Sequence, residues 1–169
     1  MNSLKLLAQG YKEGLAAGLF NKNDIITWVD EVIEILDEPP YEFIEISLMS
    51  AAFVNDIERK LMEFYKEIDI KYVTKVVLAI IYSKLSKEEI TIEKAIRTTT
   101  KLLINTSMYW EKEYYEMYHC DDAYDLAIQG VHYSLSDVIK VFKNDIGKYS
   151  SYLNDFKIAF KEVLGFEWA

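Results

Sequence analysis

Apolar residues recur along most of the chain at intervals of three and four positions, the spacing that places them on one face of an α-helix. The pattern first covers residues 3–17, where one face carries Leu4, Leu7, Tyr11 and Leu15. Gly18 follows, where a helix-ending glycine belongs. The pattern predicts a first helix from Ser3 to about Ala17.

A second amphipathic stretch, "NKNDIITWVDEVIEILDEPP", predicts the next helix. Asn23 is expected to cap its N-terminus, and Asp24 is a favourable acid in the first turn. Its apolar stripe consists of Ile25, Val29, Val32 and Leu36. Pro39 and Pro40 end this helix, and Pro40 suits the first turn of another.

The segment "YEFIEISLMSAA" predicts a third helix, with Phe43, Ile44 and Leu48 directed inward. A break near Ser50 should separate it from a fourth helix in "VNDIERKLMEFYKEI". The buried side of that fourth helix is predicted to consist of Ile57, Leu61, Phe64 and Ile68.

Residues Tyr72–Leu85 are apolar nearly all round, which is typical of a helix at the centre of a domain. Ser86 and Glu89 match the Ser-x-x-Glu capping box and predict the start of another helix. The buried face of that helix is predicted to carry Ile92, Ala95, Ile96, Thr99, Leu102 and Leu103.

The last third of the chain predicts helices at about 107–119, 122–134, 137–146 and 150–164. No glycine- or serine-rich linker interrupts the sequence. We therefore expect an all-α protein, a single domain over residues 1–169, with eight or nine helices. Antiparallel helical hairpins in a bundle or array are the expected form.

The composition narrows the expected partners. The net charge is −9 and the pI is about 4.8, so the surface repels phosphate backbones and no nucleic-acid binding is expected. A basic protein partner is favoured. The single cysteine, Cys120, excludes an internal disulfide. No signal peptide or membrane-length apolar run is evident, so we expect a cytoplasmic location without membrane contact.

Residues 10–50 resemble a group of small, uncharacterised helical bacterial proteins that are often encoded beside secreted polymorphic toxins. The matching residues are Gly18, Leu19, Asp24, Ile25, Trp28, Asp30, Glu38, Pro39, Pro40, Glu45, Ser47 and Leu48. The resemblance covers about a quarter of the chain and brings no catalytic residues with it. It implies an immunity or antitoxin-like protein that binds a toxin.

One pair of residues has the spacing of a metal site. Glu116 and His119 fall on one helix face, as in the Glu-x-x-His motifs of di-iron bundles. The second histidine, His132, has Gln129 at the matching position, so the motif is incomplete. The sequence also has no glycine-rich phosphate loop and no nucleophile elbow. We therefore predict no metal, no cofactor and no catalytic residue.

The stretch "YWEKEYYEMYHCDD", residues 109–122, is the candidate binding site. Helical geometry assigns Trp110, Tyr114 and Met117 to the core, with Tyr115 directed away from it. Tyrosines among acids suit a basic protein surface, because the rings anchor and the carboxylates meet lysine or arginine. The predicted partner-binding residues are Tyr109, Glu113, Tyr115, Glu116, Asp121 and Asp122. The alternative for this stretch is an ordinary solvated helix.

Three functions remain open from the sequence. The leading hypothesis is an immunity protein that neutralises a basic toxin, such as a nuclease, by stoichiometric contact. The first alternative is a helical adaptor or scaffold with an unrelated partner. The second is a metal-dependent enzyme that uses Glu116 and His119.

Overall fold

The structure, a computed structural model, describes residues 2–67 and 69–168. These residues form nine α-helices, a short 3-10 helix and no β-strand, which confirms the predicted all-α class. The helices are α1 (Ser3–Ala17), α2 (Lys22–Ile35), α3 (Tyr41–Ser47), α4 (Val54–Tyr65), α5 (Ile70–Ser86), α6 (Ile92–Asn105), α7 (Tyr115–Ile128), α8 (Leu135–Gly147) and α9 (Tyr152–Leu164), with the 3-10 helix at Lys112–Tyr114.

Helices α1 and α5 form the centre of the molecule. Helix α5 packs against α1, α6, α8 and α9, which confirms the buried helix predicted from its all-round apolar sequence. Helix α1 packs against α4, α5, α6 and α9. The C-terminal part of α1 is also closely packed. A Cβ added at Gly14 would lie only 2.5 Å from the Phe20 ring, so glycine alone fits there unless that ring moves. The end itself is the predicted one, with Gly18 in the left-handed conformation.

The other helices cover this centre from two sides. Helices α2, α3 and α4 follow one another, with α3 packed between α2 and α4. Helices α6, α7 and α8 form a second succession in which α7 contacts both neighbours. One continuous hydrophobic core joins the two groups.

Two predicted helix caps are wrong. Asn21, not Asn23, caps α2: its side chain accepts from the Asp24 amide at 3.1 Å, and the Asp24 carboxylate accepts from the Asn21 amide at 2.7 Å. This reciprocal box satisfies two amides, which a cap at Asn23 would not achieve. Ser86 is the last residue of α5, and Thr91 caps α6 by accepting from the Lys94 amide at 3.1 Å.

The inward face predicted for α3 is partly wrong. Phe43 is buried as expected, but Ile44 is 41% exposed and Leu48 is 81% exposed. Ile46 is fully buried instead, because Phe43 and Ile46 share the side that faces α2 and α4. Ile68, predicted to be buried in the fourth helix, lies outside the described residues.

The helices predicted at 107–119 and 122–134 are also wrong. The chain forms one helix, α7, from Tyr115 to Ile128, preceded by a turn and the 3-10 helix. Trp110 therefore does not share a helical face with Tyr114 and is 71% exposed rather than part of the core. The polar run Asn105–Ser107 was the available sign that α6 ends there.

Candidate protein-binding surface

The connection between α6 and α7 brings Trp110 to the surface. Helix α6 ends at Asn105, and its C-cap residue, Thr106, donates its hydroxyl to the Leu102 carbonyl at 2.8 Å. Ser107 then takes a positive φ of 57°, which redirects the chain. Helix α6 therefore stops, and the next aromatic residues lie on a turn instead of a buried helical face.

Five aromatic side chains follow one another across this surface. Trp110 stacks on Tyr109 with ring centroids 5.2 Å apart, and Tyr109 lies 5.4 Å from Tyr118. The Tyr118 ring contacts His119 at 5.1 Å, and His119 lies 4.4 Å from Tyr115. We call these five residues the aromatic surface. Trp110 and Tyr115, at its two ends, are 71% and 54% exposed.

A buried, closely packed layer of side chains supports the aromatic surface. The side of α7 that faces inward buries Met117, Cys120 and Tyr124, and the residue before the helix, Tyr114, is also buried. Tyr114 stacks on Tyr149 at 5.8 Å. Burial raises the pKa of the Cys120 thiol to about 11, so this group is an uncharged part of the layer. Rings held on a packed helix are partly preorganised for contact with a partner.

The four predicted acidic residues divide into two pairs with different surroundings. Glu116 and Asp122 are exposed and form no ion pair with any described residue. Glu113 instead pairs with Lys75 at 3.2 Å and accepts from the Tyr149 hydroxyl at 3.0 Å. It therefore ties the 3-10 helix to the rest of the fold.

Asp121 belongs to a separate ion-pair group between α6 and α7. The guanidinium of Arg97 contacts Asp121 and also Asp125, with one Nη1–Oδ2 distance of 3.1 Å. Its hydrogen bonds hold the pKa of Asp125 below its usual range and raise that of Arg97. Asp121 is therefore turned toward α6, and its carboxylate is already engaged within the protein.

A shallow groove between α7 and α8 adjoins the aromatic surface. Its volume is about 250 Å³, and Glu116, His119, Tyr133 and Val141 are among the residues that line it. Glu116 and His119 thus share one side of α7. Within residues 2–67 and 69–168, however, no three His, Cys, Asp or Glu side chains come close enough together to hold a metal ion.

Of the predicted site, Tyr109 and Tyr115 belong to the aromatic surface and Glu116 lies beside it. Asp122 is exposed, whereas the carboxylates of Glu113 and Asp121 are engaged by Lys75 and Arg97. Sequence reasoning missed Trp110, Tyr118 and His119 as parts of one surface. No helix in the described part of the chain is both long and apolar enough to cross a bilayer. Comparisons with family models, curated proteins and solved structures gave no match to this chain.

Proposed function

We propose that this protein is an immunity protein that neutralises a basic bacterial toxin by stoichiometric contact through the aromatic surface. The observation that carries the proposal is the continuous run of five contacting rings, in which half-buried Tyr109 and Tyr118 support the exposed Trp110 and Tyr115 at the two ends. Tryptophan and tyrosine are the residues most enriched among those that dominate binding energy at protein interfaces.

The contact would work by anchoring and charge matching. Trp110 and Tyr115 insert against apolar parts of the toxin, and the free carboxylates of Glu116 and Asp122 meet its lysine or arginine side chains. The net charge of −9 attracts a basic toxin over a longer range and raises the association rate. Such binding blocks the toxin by covering its active site or an adjacent surface and requires no chemistry from the immunity protein.

Co-expression with the product of the neighbouring gene tests the proposal. The toxin alone should arrest growth, the pair should grow, and the two purified proteins should form a complex of fixed stoichiometry. Trp110→Ala together with Tyr115→Ala should abolish protection without lowering the amount of folded protein, because both side chains are exposed. Continued arrest on co-expression, with no complex between the purified proteins, would reject the proposal.

A helical adaptor is the second candidate, since the same surface would suit an intracellular partner unrelated to toxins. Under that alternative the double variant would still fail to bind its partner, but co-expression would rescue no growth arrest. The growth assay therefore separates the two functions, whereas the binding assay alone does not.

A further inference from the structure

The net charge of this protein is concentrated in one stretch of the chain. Residues 23–58, which we call the acidic segment, contain ten of the 28 acidic residues and none of the 19 lysines and arginines. The remainder of the chain contains 18 acidic and 19 basic residues and is almost neutral. The acidic segment covers α2, α3 and the start of α4, so the charge lies on one group of packed helices.

Among the described residues, only two of these ten carboxylates, Glu45 and Asp56, form ion pairs. Glu31, Glu34, Asp37, Glu38 and Glu42 form no ion pair with any residue in the described ranges. Two basic residues that follow the acidic segment in the chain form the two pairs: Lys60 contacts Glu45 at 2.7 Å, and Arg59 contacts Asp56 at 3.2 Å. The middle of the segment, from the second half of α2 to the start of α3, keeps its negative charge uncompensated.

An apolar stripe lies within this negative field. Tyr41 and Ile44 of α3 and its C-cap residue, Leu48, are spaced by three and four residues, so they lie along one side of the helix. We call these three residues the α3 apolar stripe. They are 70%, 41% and 81% exposed, whereas Phe43 and Ile46 on the opposite face are fully buried. The stripe is therefore an outer face of α3 that the fold leaves uncovered.

Two further apolar side chains flank the stripe along the chain. Phe53, in the connection to α4, is 83% exposed, and Ile35, at the end of α2, is 46% exposed. Large apolar side chains grouped on a surface and surrounded by charged residues are typical of a protein-binding site. Their position in the acidic segment indicates the charge of the partner.

We propose that the α3 apolar stripe docks a basic amphipathic helix of a partner protein. The apolar face of that helix would lie on Tyr41, Ile44 and Leu48, and its lysines or arginines would meet the carboxylates of α2 and of the turn after it. The stripe is about 10 Å long at 1.5 Å per residue, which matches two turns of a partner helix.

The charge distribution disfavours the other occupants of such a face. A second copy of this chain would bring one acidic segment against another, and like charges across an interface are costly. An anionic lipid surface would be repelled for the same reason. Binding of a basic amphipathic helix is favoured both by burial of the apolar stripe and by attraction between its lysines or arginines and the carboxylates of the acidic segment.

This docking site goes beyond the proposed toxin contact and uses different residues. The aromatic surface belongs to α7 and the turn before it, whereas the α3 apolar stripe belongs to the group formed by α2, α3 and α4. Failure of the immunity proposal would leave this inference standing, and the reverse is also true.

Binding of a synthetic helix tests the inference. The probe is a labelled peptide of about 15 residues, made of leucine and lysine with leucine at helical spacing, and the readout is fluorescence anisotropy. The native protein should bind it at least roughly tenfold more tightly than the Tyr41→Ser/Ile44→Ser/Leu48→Ser variant, because the leucines of the peptide bury less apolar area against serine. Thermal unfolding of the variant should stay close to that of the native protein, since the three positions are exposed.

Two controls make the outcome decisive. The matched variant Ile104→Ser/Ile128→Ser/Ile158→Ser removes similarly exposed apolar groups elsewhere and should bind the probe as the native protein does. A peptide with glutamate in place of lysine should bind at least roughly tenfold more weakly. Equal binding by the α3 variant and the native protein, or equal binding of the two peptides, would overturn the inference. Amide shifts on peptide titration should map to α2 and α3, and shifts confined to other helices would overturn it as well.

Discussion

At the scale of single residues, the buried thiol of Cys120 gives a pH-dependent prediction. Its folded pKa of about 11 lies above that of an unfolded cysteine, so the folded state holds the proton more tightly. The contribution of this thiol to the free energy of unfolding is fully present below the pKa of an unfolded cysteine. It is lost as the pH rises through the pKa of Cys120 in the folded protein. Iodoacetamide at pH 8 should therefore alkylate Cys120 roughly 100-fold more slowly in the native protein than in denaturant. Similar rates in both states would contradict the burial of the thiol.

A second prediction at this scale contrasts Ile46 in α3 with Leu48, the residue that follows the helix as its C-cap. Ile46→Ala should lower the free energy of unfolding by about 2–5 kcal/mol, because Ile46 is fully buried. Leu48→Ala should change it by less than about 0.5 kcal/mol, because Leu48 is 81% exposed. Denaturant unfolding of both variants measures the difference. Equal losses of stability would mean that Leu48 is packed in solution.

The same two residues show what the sequence reveals about individual positions. Both fit a helical apolar pattern, and Leu48 looks as suited to the core as Ile46. What separates them is the direction of α3 relative to α2 and α4, which depends on tertiary packing and not on local spacing. An apolar residue on the outer face of a helix therefore resembles a core residue until the neighbouring helices are known.

At the scale of elements, Arg97 ties α6 to α7. Arg97→Met removes the guanidinium that contacts Asp121 and Asp125, so protection of the α7 amides from hydrogen exchange should fall. Arg59→Met is the matched control, because Arg59 is exposed and pairs with Asp56 inside its own helix. If both variants exchange alike in α7, the contact between the helices has no stabilising role.

The same contact predicts a dependence on acid. The hydrogen bond from Arg97 holds the pKa of Asp125 in the folded protein below its usual range. The stabilisation from this pair is therefore present above the pKa of an unfolded aspartate and is lost as the pH falls through the lower pKa of folded Asp125. The stability difference between native protein and Arg97→Met should thus shrink below about pH 4. NMR titration of the Asp125 carboxyl should show a higher pKa in the variant. An unchanged pKa would contradict the pairing.

The elements were predictable where local signals agree. Helix α1 has apolar spacing and a terminal glycine at one boundary, and its predicted limits are confirmed. Helix α5 was recognisable because it is apolar on every side. Helix α7 was not, since aromatic residues occupy the turn before it as well as the helix and hide the residue at which α7 begins. The spacing of apolar residues is the same whether Trp110 lies on a helix or on a turn, so the sequence pattern does not distinguish the two.

At the scale of the whole molecule, the charge predicts how binding responds to salt. Raising ionic strength from about 50 to about 500 mM should lower the association rate constant for a basic partner roughly tenfold or more, because salt screens long-range attraction. The dissociation rate constant should change much less, since anchoring depends on the apolar contacts. Stopped-flow fluorescence measures both constants. A salt-independent association rate would remove the electrostatic part of the proposal.

Calorimetric titration of the proposed toxin partner into purified variants tests most directly whether the aromatic surface is the binding interface. Trp110→Ala with Tyr115→Ala should weaken the complex roughly 1,000-fold, because two anchors of this type each contribute about 2 kcal/mol or more and every ~1.4 kcal/mol is about tenfold in affinity. Phe166→Ala, which removes a ring of similar exposure far from α7 in the chain, should bind within about threefold of the native protein. If the double variant also binds within about threefold of the native protein, the aromatic surface is not the interface.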